Sequence, residues 1–76
     1  MNVEKLKSIL LEKNKVNFKL YSLDYVIEKT ENYIILFSPT YPKDVRKYNN
    51  IDELLNDFTV YNQTLFEIDD KVIIKE

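Results

Sequence analysis

The stretch that decides the fold is residues 16–37, VNFKLYSLDYVIEKTENYIILF. Its first part alternates. Val16, Phe18 and Leu20 fall on one side, and Asn17, Lys19 and Tyr21 on the other, the period of a half-buried strand. The phase then slips, and Leu23, Tyr25 and Ile27 become the apolar set. A one-residue slip turns every side chain to the wrong face. A bulge or tight turn is therefore expected at Ser22–Asp24, with the strand continuing over Tyr25–Lys29. Thr30-Glu31-Asn32 reads as a short hairpin loop, with Asn32 where glycine would usually stand. Tyr33–Ser38 is apolar on both faces and is expected to be the central strand.

Upstream, the sequence predicts a helix from Asn2, its expected cap, to about Lys13. Val3, Leu6, Ile9 and Leu10 fall on one stripe, and Glu4 suits the first turn. Leu11 lies off the stripe. Asn14 is the expected stop, because asparagine tolerates the left-handed conformation. Downstream, Pro39–Asn50 reads as the one long irregular stretch, since Pro39 and Pro42 cannot join a central strand. Asn50 and Glu53 have capping-box spacing and open a second helix. Ile51, Leu54, Leu55 and Phe58 form its apolar face, leaving Asp52, Glu53 and Asp57 to water.

The last segment has two readings. Thr59–Tyr61, Thr64–Ile68 and Lys71–Lys75 can be three short strands joined by Asn62-Gln63 and Asp69-Asp70. Alternatively, Thr64 and Glu67 box a single helical turn at residues 65–68. Val72-Ile73-Ile74 is a strand in both. The expected fold is a single α+β domain over residues 1–76, an antiparallel sheet of about four to six short strands with two helices packed on one face.

The absences in the composition are as telling as the pattern. The 76 residues contain no histidine, cysteine, glycine or alanine. Without His and Cys there is no Ser-His-Asp triad, Cys-His dyad or ordinary zinc site. Without Gly there is no P-loop or dinucleotide fingerprint, because both let backbone approach phosphate closely. Every turn must be made by Asn, Asp, Pro, Ser or Thr. Ten lysines stand against one arginine. This is the composition that an AT-rich genome, bacterial or phage, encodes. The missing cysteine fits a reducing compartment. No apolar run is long enough for a signal peptide or a membrane span, so a cytoplasmic protein is expected, with no membrane partner.

The net charge of −2 is unevenly placed. Residues 1–23 are rich in lysine and residues 51–76 in carboxylates. Two solvated faces that attract each other account for this, and an acidic patch for a basic partner is the sharper alternative. Glu67, Asp69 and Lys71 would share a strand face, a faint likeness to a magnesium nuclease site. Such a site needs carboxylates that converge from separate elements, so no metal, cofactor or catalytic residue is assigned.

Six tyrosines and four phenylalanines remain. Phe18, Phe37, Phe58 and Phe66 suit core positions, whereas the tyrosines are harder to hide. Tyr41 and Tyr48 flank Lys43, Arg46 and Lys47 in the Pro39–Asn50 stretch, and Tyr with Arg is the composition of a protein-binding hot spot. The expected function is a non-enzymatic protein-binding module. An inhibitor of a larger host enzyme or defence nuclease, encoded by a phage or mobile element, is one concrete version. The expected partner-binding residues are Tyr41, Lys43, Arg46, Lys47 and Tyr48, with Asp52, Glu53 and Asp57 second. The same loop with the N-terminal lysines could instead hold single-stranded nucleic acid. A third reading is self-association through a free sheet edge or Leu11.

Overall fold

A computed structural model describes residues 1–75. Helix α1 spans Asn2–Lys13 and is followed by β1, Lys15–Leu20, β2, Leu23–Lys29, and β3, Ile34–Ser38. Strand β4, Tyr41–Tyr48, leads into helix α2, Ile51–Asp57. Three two-residue strands close the chain: β5, Thr59–Val60, β6, Gln63–Thr64, and β7, Ile73–Ile74. The main sheet is antiparallel with strand order β4-β3-β2-β1-β7, and β5 pairs with β6 separately. The radius of gyration is 11.2 Å, and a single domain of this length is expected at about 11 Å. The chain is therefore one packed α+β unit.

The alternation in β1 and β2 sets which face of the sheet is inside. Val16 lies opposite Ile27, and Phe18 opposite Tyr25. Ile27 in turn lies opposite Leu36 on β3. Val3, Leu6 and Leu10 of α1 pack onto this face, with Ile51, Leu54 and Leu55 of α2. Leu65, Ile68 and Val72 complete the core. Ser38 is the one buried polar residue among those described. Its Oγ donates to the Asp24 carbonyl at 2.6 Å, so its burial leaves no bond unmade.

The phase slip at residue 22 is a two-residue turn rather than a bulge. Leu20 pairs with Leu23, and Tyr21 and Ser22 both have positive φ, 49° and 70°. That is the signature of a type I′ hairpin, usually supplied by Asn-Gly. The β5–β6 hairpin repeats it with Tyr61 and Asn62, at φ 53° and 62°. The two turn tyrosines meet edge to face, with ring centroids 5.4 Å apart. Asn14 ends α1 in the left-handed region, φ 63°, as its sequence position suggested. Asn32 does not have a positive φ. Its loop is held instead by Thr30, whose hydroxyl donates to the Tyr33 carbonyl at 2.9 Å.

Several expectations are corrected. Pro39–Asn50 is mostly strand, not loop: β4 pairs with β3 through Ile34–Tyr48, Ile35–Lys47 and Leu36–Arg46. Pro42 is accommodated because β4 lies at the sheet edge, where no outer neighbour needs its missing N–H. The central strand is β2, and β3 lies one place from the edge. Phe66 is exposed and Phe37 only half buried, so two of the four phenylalanines miss the core. Asn2 does not cap α1, since Met1 holds that position without a side-chain bond. The cap comes from Asp69, whose carboxylate accepts from Val3 N at 2.8 Å and Asn2 N at 3.2 Å. The Asn2 side chain donates back to the Asp69 and Val72 carbonyls.

In the last segment the capping box prevails. Thr64 N donates to Glu67 Oε1 at 2.9 Å, and Glu67 N to Thr64 Oγ1 at 3.4 Å. Residues 65–68 are turns, and Asp69–Lys71 is one turn of 3₁₀ helix. Glu67 and Asp69 therefore do not share a strand face, and each is committed to a backbone cap. At α2 the expected cap forms, with Glu53 N donating to Asn50 Oδ1 at 2.8 Å.

Candidate functional site

Strand β4 carries five of the expected partner-binding residues, and the pleat separates them. Tyr48 lies opposite Ile34 and Arg46 opposite Leu36, so both face the helix side of the sheet. Lys47, opposite Ile35, faces the other way. Tyr48 is packed into the core and offers no free ring to a partner, a correction that follows from its being the strand residue nearest α2. The remaining seven residues of β4 are exposed.

Tyr41 and Arg46 are brought together. They line a cleft of about 230 Å³ with Tyr25, Ser38, Asp44 and Phe58. Leu23, Leu36, Phe37, Thr59 and Val60 complete the lining. The Arg46 guanidinium stands over the Phe58 ring, 5.6 Å from its centroid. Phe58 meets Tyr25 edge to face at 5.8 Å, and Tyr25 stacks on Phe18 at 5.2 Å. An aromatic run thus leads from the exposed arginine into the core. Burial raises the Tyr25 hydroxyl above its ordinary value, Arg46 pulls it back, and Tyr61 adds to the rise. At neutral pH the group is a protonated donor at the cleft wall.

Lys47 places its Nζ 4.0 Å from the Tyr33 ring centroid, on the opposite face from Arg46. Lys43 borders a shallow surface with Thr40 and Pro42. Two of the second group of expected residues have structural duties. Asp52 pairs with Lys7 at 3.0 Å, joining α2 to α1. This is the attraction between the basic and acidic ends that the charge distribution suggested. Both side chains are well exposed, so it adds at most about 1 kcal/mol. Glu53 accepts from Asn49 N at 3.3 Å, and Asp57 is exposed at the end of α2.

The backbone of β4 is guarded. Pro42, the exposed Lys43 and Lys47, and a register shift between Leu36 and Ser38 all blunt an edge against added strands. What β4 offers is side chains. The sequence did not mark Tyr25, Ser38 or Phe58 as cleft residues. Tyr25 and Phe58 carried only the apolar signal of core positions, and Ser38 carried none.

Among the described residues no helix is long and apolar enough to cross a membrane. No protein-family model matches the chain. No curated protein and no solved structure matches it either.

Proposed function

We propose that this chain is a non-enzymatic protein-binding module that works in the cytoplasm, and that it engages its partner through the cleft flanked by Tyr41 and Arg46. The observation that carries this proposal is the arrangement of that cleft. An exposed tyrosine and the sole arginine line one cleft with Leu23, Leu36 and Phe58, and such anchors dominate binding energy at interfaces. The cleft is too small for most cofactors but fits one or two inserted side chains. The composition favours binding over catalysis, and Glu53, Glu67 and Asp69 serve backbone caps. Inhibition of a larger host enzyme or nuclease is the version that suits so small a chain.

The nucleic-acid alternative is less well supported, because Arg46 and Lys47 of the expected binding stretch point to opposite sides of the sheet.

Affinity capture from cells that make the protein tests the proposal, run with and without nuclease. One partner protein should survive nuclease. It should be lost with the double variant Tyr41→Ala/Arg46→Ala, whose melting temperature should stay within a few degrees of the parent. Capture that disappears with nuclease would replace the proposal with the nucleic-acid reading. Unchanged capture by the double variant would remove the site.

A further inference from the structure

The face of the sheet away from the helices is not the polar surface that a one-sided antiparallel sheet ordinarily presents. Val26 and Phe37 are directly paired on it, and Ile35 lies beside them on β3. Asp44 and Arg46 both line the cleft on the helix side, so Val45 between them turns to the open face at the sheet edge, where it is exposed. At the other edge Ile73, opposite Lys19, is also exposed. Val26 is buried on this face, Ile35 and Phe37 are half buried, and Val45 and Ile73 are exposed. This is why β3 is apolar on both sides without being the central strand.

Charge surrounds this row. By register, Lys15, Lys19 and Lys47 lie on the open face with Asp24 and Glu28. Lys75 joins them, 3.5 Å from Asp24. The same end holds a hollow of about 420 Å³ lined by Asn17, Asp24, Val26, Pro39 and Lys75 among others. Four lysines thus stand against two carboxylates, while α2, on the covered side, carries Asp52, Glu53 and Asp57. An apolar centre with a charged rim is the anatomy of an interface. Stacking a second copy on this face would set one lysine excess against another.

We propose that the open sheet face is a docking surface for a different protein, one that presents an apolar patch rimmed by aspartate and glutamate. This inference rests on the protein-binding role proposed above and adds a second contact surface, on the side of the sheet opposite the Tyr41–Arg46 cleft. The lysine rim steers and orients the partner, and Ile35, Phe37 and Val45 supply the apolar contact.

The test pans a random peptide library against the folded full chain and maps the retained peptides by amide chemical-shift changes. Peptides combining aliphatic or aromatic residues with Asp and Glu should be enriched, with shifts on Val26, Ile35, Phe37 and Val45. Val45→Glu should weaken binding by about tenfold or more, because it sets a charge into the apolar contact and opposes the acidic rim of the partner. Lys47→Glu is a second variant at an exposed position, should the first fail to fold. It should weaken binding too, and added salt should do the same. Enrichment of basic peptides would overturn the inference. Shifts confined to Tyr41, Arg46 and Phe58 would also overturn it while leaving the module and its cleft standing. Retention of no peptide would count against both. Sedimentation showing a dimer that Val45→Glu dissolves would place a second copy on this face and remove the different partner.

Discussion

On the helix-covered face of the sheet, Phe18, Ile27 and Leu36 are withdrawn from water, whereas on the opposite face Ile35 and Phe37 are half buried and Val45 is exposed. The same strands build both. A domain of this size has apolar surface enough for one core, and that core is made by two helices on one side. The apolar side chains on the other side add little to it. The comparison teaches that apolar content on both faces of a strand does not locate the strand at the centre of a sheet. It can equally mark a face whose cover is another molecule.

The widest difference between the faces should appear in stability. Phe18→Ala removes a fully buried core ring that stacks on Tyr25, and should cost about 3–5 kcal/mol. Urea denaturation will measure it, and a loss below that of an exposed substitution would break the distinction. A middle effect is expected at Asp69→Ala. Two backbone N–H groups of α1 lose their acceptor, for a cost of about 1–2 kcal/mol. No change there would mean that packing alone holds α1 on the covered face. The smallest effect belongs to Val45→Thr on the open face, within about 0.5 kcal/mol. A larger loss would show that the open row supports the fold itself.

Much of this architecture was legible because short-range rules govern it. The stripe Val3, Leu6 and Leu10, the alternation from Val16 to Leu20 and the Asn50–Glu53 box each depend on near neighbours. Asn14 as a helix stop is of the same kind. What was not legible depended on distant partners. Asp69 caps a helix more than sixty residues earlier, as the pair Val3–Asp69 records. Nothing at Asp69 distinguishes that duty from an ordinary turn. Strand β4 was hidden by Pro39 and Pro42, whose veto applies only to a strand with neighbours on both sides. Turns were expected near both places, at Ser22–Asp24 and Asn62-Gln63, but their exact position and type were hidden because Tyr21-Ser22 and Tyr61-Asn62 lack the glycine that usually announces a type I′ turn. At the site, residue types could nominate Tyr41 and Arg46. Only the pleat could separate Arg46 from Lys47 and send Tyr48 into the core.

The link between Asp69 and the start of α1 has a consequence for the order of assembly. Helix α1 is synthesised ahead of the sheet it packs on, yet the acceptor for its free amides, Asp69, belongs to a turn made more than sixty residues later. The same late segment supplies β7, the outer neighbour of β1. A nascent chain that has emerged only as far as α2 holds a helix with a frayed beginning and a sheet with an unfinished edge. Both defects are repaired by one event, the arrival of residues 69–74. The molecule should therefore fold as a single closure rather than from one end to the other.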